Sequence, residues 1–368
     1  MSVKLIVHPG HYKCGSSTIQ NFLSVNLDTL EEMGIGIVNQ DLNIGKPVNK
    51  SWSKPDNYFE RMIFENNKLG DFQERLLNLK QAADNSKYHT IILTEERLSD
   101  RRTLYGSLTL HSAIADVFEN IKVIYYMRRQ DDFILSAWQQ WGHKEQKTLL
   151  EYTNILLENG MANFLQNIKK FKEFYGTNNI EVSLLNRITL IKGDLMTDFL
   201  SRIGIEDTPE RFQKVDNSNK GINIQYCDIL RRTPGWYQNV TDNSVRKMLE
   251  TYCLNSRDIL FDRKKSMEFY KICNEIMEYY LADNKELYKQ YFKSYDFDIL
   301  FGKTKNIEAL IDQKKNEEIE ELKDLLAIQN DLIFSLIKHH EEIQKRIKKL
   351  SQSFSFKIKN KLKTILKI

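Results

Sequence analysis

Four short apolar runs do most to limit what this chain can fold into. Val3 to His8, Tyr88 to Thr94, Ile121 to Met127 and Ile180 to Leu185 are nearly unbroken in aliphatic and aromatic side chains. A strand with one wet face alternates polar and apolar residues, whereas a strand covered on both faces does not. The stretches between the runs carry a helical period instead. Ile19, Phe22, Leu23, Leu27 and Leu30 recur at spacings of three and four, as do Phe133, Ala137, Trp138 and Trp141. This alternation predicts an α/β fold over the first two hundred residues, a parallel sheet flanked by helices. The first helix is expected from Ser16 to about Met33, where Gly34 and Gly36 stop it. Ligands of such sheets bind beyond the carboxyl ends of the strands, so chemistry is expected just after each run.

Composition narrows the class. With 41% hydrophobic and 11% aromatic residues in 368, most of the chain is globular rather than disordered. Cys14, Cys227, Cys253 and Cys273 are too scattered for a disulfide scaffold, and no CxxC pair or Cys/His cluster suggests a metal. We therefore expect a reducing, cytoplasmic setting. No apolar stretch approaches the roughly 18 residues of a membrane span. The N-terminal run meets Pro9-Gly10 at once and has no signal-peptide pattern. The net charge of +4 conceals an asymmetry: residues 343–368 hold nine Lys or Arg and no acid, leaving the rest net acidic. That distribution argues against a nucleic-acid-binding body.

After the first run comes His8-Pro9-Gly10-His11-Tyr12-Lys13-Cys14-Gly15-Ser16-Ser17-Thr18, a strand-to-helix turn. Small residues let the backbone curl so that N–H groups face an anion, and the helix dipole adds favourable potential there. Ser16 and Ser17 are placed to cap the helix or to bond phosphate oxygens, and Lys13 adds a full positive charge. Gly10, Gly15 and Ser17 fit the Walker pattern G-x-x-x-x-G-K-[ST], but Ser16 stands at its lysine position. The lysine lies inside the loop, which disfavours nucleotide triphosphate hydrolysis. A bland strand-helix turn is the alternative.

After the third run, Arg128 ends a strand and Ser136 follows eight residues later on a helix. Both could converge on one phosphate, the Arg through a forked charge-assisted pair. Alternatively the Arg pairs with Asp131 or Asp132 and caps the helix.

Together these motifs resemble the sulfotransferase family that uses 3′-phosphoadenosine 5′-phosphosulfate, most closely its bacterial carbohydrate type. The family's K-x-G-[ST]-[ST] loop reads Lys13-Cys14-Gly15-Ser16-Ser17 here, and its R-x-x-x-D-x-x-x-S stretch reads Arg128, Asp132, Ser136. Asp198-Phe199-Leu200, Gly204-Ile205 and Asn217-Ser218 are also similar, so the resemblance covers about residues 1 to 230. Cys14 and Ser16 depart conservatively from the commoner residues. The resemblance implies a P-loop-like fold and transfer of a sulfuryl group to a hydroxyl or amine, without a metal. It implies that Lys13, Cys14, Gly15, Ser16, Ser17 and Thr18 hold the 5′-phosphate, with Lys13 catalytic, and that Arg128 and Ser136 hold the 3′-phosphate. It further implies a general base at Glu95, in Leu93-Thr94-Glu95-Glu96, although the adjacent Glu96 leaves the choice ambiguous. His8, His11 and His143 are other candidates, each more simply read as structural. The loop over the adenine is not evident; Lys220-Gly221 is the nearest match. The acceptor implied is a carbohydrate or glycolipid. The competing readings are a P-loop kinase or NTPase, and a non-catalytic nucleotide-binding scaffold.

The domains read as 1–303, with a helical cap from about 207, then a coiled-coil helix over 304–350 and a basic tail over 351–368. From Ile319 a heptad appears, with a positions Ile319, Leu326, Ile333, His340 and Ile347 and d positions Leu322, Gln329, Leu336, Ile343 and Leu350. It fits either a coiled coil between chains (a homo-oligomer over 319–350) or one amphipathic helix packed on the body. The tail puts Phe354, Ile358, Leu362 and Ile365 on one stripe among lysines, a pattern that lies in anionic membrane interfaces. A peripheral membrane location is the expectation.

Overall fold

The apolar runs pair side by side in one five-stranded parallel sheet. The structure, a computed structural model, describes residues 2–39, 41–45, 69–99, 104–205, 211–215, 221–232, 235–261, 267–303 and 314–365. The chain divides into two compact units: residues 1–138, 149–219 and 270–305 form one, and 139–148, 220–269 and 306–368 the other.

In the first unit, β1 (Lys4–His8) leads through α1 (Ser16–Val25) and α2 (Leu27–Glu32) to β2 (Ile35–Ile37). Next come α3 (Leu69–Asp84), β3 (Thr90–Thr94), α4 (Leu104–Val117), β4 (Ile121–Met127) and α5 (Gln130–Gln140). Then follow α6 (Leu149–Glu158), α7 (Phe164–Tyr175), β5 (Ile180–Leu184) and α8 (Leu195–Arg202). The strand order is β2-β3-β1-β4-β5, with Leu5 beside Ile91 on one side and Ile121 on the other. Leu5, Ile6, Val7, Ile92, Val123 and Ile124 are all fully buried, so both faces of the central strands are covered. That is why these runs lack polar alternation.

Two local expectations are corrected. The single helix over Ser16 to Met33 is broken at Asn26, whose Nδ2 donates to the Phe22 and Gln213 carbonyls while its Oδ1 accepts from the Gln213 amide. An Asn side chain that bonds nearby backbone offers the chain an alternative to continuing the helix. The glycines that stop the helix also belong to a strand: Gly34 turns the chain at φ 73°, and Ile35, Gly36 and Ile37 pair in parallel with Thr90, Ile91 and Ile92. Three residues containing a glycine carry too little period to be read as a strand.

The second unit is helical. It contains α9 (Ile224–Arg231), α10 (Ser244–Tyr252), α11 (Arg257–Leu260) and the first residues of α12 (Met267–Tyr279), whose remainder joins the first unit with α13 (Leu281–Tyr291) and α14 (Phe297–Phe301). It also contains α15 (Lys314–Ile365), one unbroken helix of 52 residues. Among the described residues of 207–303 the regular elements are helices. Among the described residues no helix is long and apolar enough to cross a membrane.

On α15 the heptad face is not the face that packs on its own unit. Asp331 accepts N–H bonds from the Asn255 and Ser256 backbone at 2.8 and 2.9 Å, and its other oxygen accepts from Asn255 Nδ2 at 2.7 Å. Ser256 Oγ donates to the Ala327 carbonyl, Ser335 Oγ donates to the Tyr252 carbonyl, and Ile328 is fully buried. Burial alone would raise the Asp331 carboxyl, but these donors hold it below the usual range.

Candidate functional site

The chain leaves β1 toward β2 and β3 on one side of the sheet, and leaves β4 toward β5 on the other. Between β1 and β4 lies the topological switch point, where the loops part and leave a crevice. The loop after β1 carries Lys13 and the loop after β4 carries Arg128.

These loops meet. Arg128 Nη1 donates to the Lys13 carbonyl at 3.3 Å. Lys13 holds a left-handed backbone at φ 63°, and Gly15, which caps α1, is left-handed at φ 87°. The N-cap residue Gly15 offers α1 no side-chain cap, and the first-turn Thr18 N–H bonds the Gly15 carbonyl at 3.0 Å. A Cβ at Gly15 would stand 2.6 Å from Leu195 Cδ2, whose side chain would have to shift, but it is the left-handed φ that favours glycine there. Lys13 and Arg128 are both half-buried, and Ser17 is exposed at the helix start.

The turn after β3 braces the loop from the other side. The His8 carbonyl accepts N–H bonds from Gly10 at 2.8 Å and Glu95 at 3.1 Å, and Ser99 Oγ donates to the Gly10 carbonyl. Ser16 Oγ donates to Glu96 Oε1. The two adjacent glutamates therefore differ. Glu95 is nearly buried and its Oε1 accepts from the Arg97 backbone at 3.0 Å and the Arg97 guanidinium at 3.4 Å. Glu96 lies on the loop itself, where burial raises its carboxyl above the ordinary range, against the opposing pull of the Ser16 hydroxyl and the Lys13 charge. The family resemblance pointed to Glu95, with Glu96 beside it leaving the choice open. The loop contact of Glu96 spans 80 residues and leaves no local signal.

Other expected residues fall into distinct roles. The Cys14 thiol is buried and burial drives its pKa far up, so it contributes backbone rather than a thiolate. The Cys14 amide bonds the His11 carbonyl at 3.0 Å. Ser16 is buried with its hydroxyl on Glu96, so that oxygen is held inside the loop. Thr18 is half-buried in the first turn of α1, its N–H on the Gly15 carbonyl. Ser136 is half-buried on α5. The acid pairing considered for Arg128 is made by its neighbour: Arg129 Nε donates to Asp131 Oδ1 at 2.8 Å, and its Nη2 donates to the Gly302 carbonyl at 2.6 Å.

The histidines are structural. His8 is buried with Nδ1 2.8 Å from Thr94 Oγ1, and burial lowers its pKa to about 3. His11 bonds the Met161 carbonyl and the Tyr125 hydroxyl through its two ring nitrogens. His143 lies buried in the second unit, 3.1 Å from the Tyr237 hydroxyl. Gly221, also in that unit, is pressed against the Gln139 side chain. Lys220, Asn217 and Ser218 lie outside the described residues.

No protein-family model matches the chain. No curated protein matches it in sequence. Among solved structures it is similar to a sulfotransferase from Alicyclobacillus acidocaldarius, at 10% identity and a TM-score of 0.39, over 78% of this chain and 96% of that one. A likeness of that size carries nothing about the site, whose reading rests on the geometry above.

Proposed function

We propose that the site transfers a sulfuryl group from 3′-phosphoadenosine 5′-phosphosulfate to a hydroxyl or amine of a carbohydrate or glycolipid acceptor. The observation that carries this is the meeting of the Lys13 loop and Arg128 at the switch point of the sheet. Two cationic groups there suit a donor with two separate phosphate groups. Lys13 and the first-turn amides of α1 would hold the 5′-phosphate, and Arg128 with Ser136 the 3′-phosphate. In the reaction the acceptor oxygen or nitrogen bonds to sulfur as the bond from sulfur to the 5′-phosphate oxygen breaks. Negative charge grows on that leaving oxygen, where Lys13 and the amides stabilise it. The acceptor proton goes to a carboxylate of the Glu95–Glu96 pair. Glu96 is favoured, since it lies on the loop and burial makes it the stronger base. The products are the sulfated acceptor and adenosine 3′,5′-bisphosphate.

Thermal melting tests the reading. A ligand that binds only native protein stabilises it by about 2.7 kcal/mol at a hundred times its dissociation constant. Adenosine 3′,5′-bisphosphate should raise Tm without added metal, and Arg128→Ala should abolish the rise. A rise with Mg-ATP alone would point to a kinase, and no rise with either ligand would favour a scaffold. The basic tail supports a companion proposal, contact with an anionic membrane surface, at roughly 1 kcal/mol per lysine. Deleting residues 351–368 should release the protein from anionic vesicles.

A further inference from the structure

In a heptad, positions f and c lie on the back of the helix, away from the a/d seam. On α15 the residues turned to their own unit are Asp331 at f, and Ile328 and Ser335 at c. The seam is left bare. From Leu322 to Leu350 every apolar a and d residue is between 40% and 69% exposed, along about 40 Å of helix. Only Gln329 and His340 interrupt it with polar side chains.

We propose that this seam is covered by the same seam of a second copy of the chain, running antiparallel. Two features select that occupant and direction. In antiparallel coiled coils an a residue of one helix meets a d residue of the other. One register pairs Leu322 with Ile347, Leu326 with Ile343 and Ile333 with Leu336, each from opposite copies. The same register sets Gln329 against His340. The two polar interruptions thus fall in one another's layers, where the Gln amide and the imidazole can hydrogen-bond. A parallel pair would set Gln329 on Gln329 and His340 on His340, two separate polar layers. Charge points the same way. Residues 317–331 contain six acids and one base, while residues 345–350 contain four bases and no acid. Antiparallel packing lays the acidic stretch beside the basic one, and parallel packing lays each beside its like. A buried polar pair at one layer fixes register and direction at some cost in stability.

The full chain tests this. Light scattering should give twice the chain mass of 43.5 kDa. Ile333→Glu, a residue exposed on its own unit, should give a monomer whose melting matches wild type below the dimer concentration. Direction is read by oxidation, since the four native cysteines are buried. Chains carrying Gln329→Cys mixed with chains carrying His340→Cys should form a disulfide-linked dimer. His340→Cys alone should not, because its two copies would sit about 16 Å apart, beyond disulfide reach. Linkage of His340→Cys to itself would overturn the antiparallel assignment, as would a dimer in which the mixed pair stays unlinked. A monomer would overturn the proposal, including one whose seam is shielded only on anionic vesicles, which would assign that face to lipid.

Discussion

Lys13 keeps a left-handed backbone that costs a non-glycine residue roughly 1–2 kcal/mol. Strain of this kind persists where a side chain is needed for more than folding. Lys13→Gly should therefore melt no lower than wild type, while kcat falls by about 10² to 10³ through loss of the ammonium; melting and turnover on one preparation check both. Glu96 makes a second separation. Its folded pKa lies above its unfolded value, so the folded state binds more protons. The stability that Glu96 contributes is therefore full at and below the ordinary carboxylate range and falls away as pH rises through the raised value, opposite in sign to the buried histidines. Glu96→Gln, which can still accept from Ser16, should flatten that fall in a series of melts and cost about 10² or more in kcat. Lys13, Gly15 and Arg128 were legible in the sequence because a turn glycine and a strand end announce themselves locally. The Ser16–Glu96 contact was not, since both residues also read well as phosphate donor and solvated loop acid.

Strands and helices were legible in proportion to their length. β1, β3, β4 and β5 stood out because they run five to seven mostly buried residues, whereas β2 did not, being three residues with a glycine at its centre. The back face of α15 was hidden for a different reason: apolar spacing finds Leu and Ile, while the docking is done largely by Asp331 and backbone N–H groups. A similar polar anchor fixes α8 to the sheet. Asp198 is fully buried, accepting from the Tyr126 hydroxyl at 2.6 Å, from Arg202 Nε at 2.6 Å and from the Ile191 amide at 3.2 Å. Asp198→Ala leaves the Tyr126 phenol and the Arg202 Nε without their shared acceptor, although Arg202 keeps Glu181 and Ser183 through its Nη atoms, and should cost about 3 kcal/mol, read by denaturant unfolding. Asp198→Asn, which keeps acceptors in place, should lose less.

At the scale of the whole chain, acid should be the weak side. His111 is buried with Nε2 on the Leu98 carbonyl and Nδ1 on the Tyr175 hydroxyl, and burial lowers its pKa to about 4, as it lowers His8 to about 3. Unfolded histidine titrates near 6.5. Below that pH the unfolded chain binds protons that the folded one refuses. Stability should therefore be full above about pH 6.5 and decline toward pH 4, and His111→Gln should shallow the slope in a pH series of melts. The continuity of α15 has a mechanical consequence. A helix of 52 residues is about 78 Å long and has no hinge between its seam and its basic end. Paired head to tail, two such rods carry a cationic foot at each end, pointing opposite ways. Feet so arranged cannot both touch a flat bilayer if the pair stands upright. If the proposed pair and the proposed membrane contact both hold, the two feet would reach one surface only with the pair lying down like a beam on two supports, and contact would weaken where the surface curves away from one end.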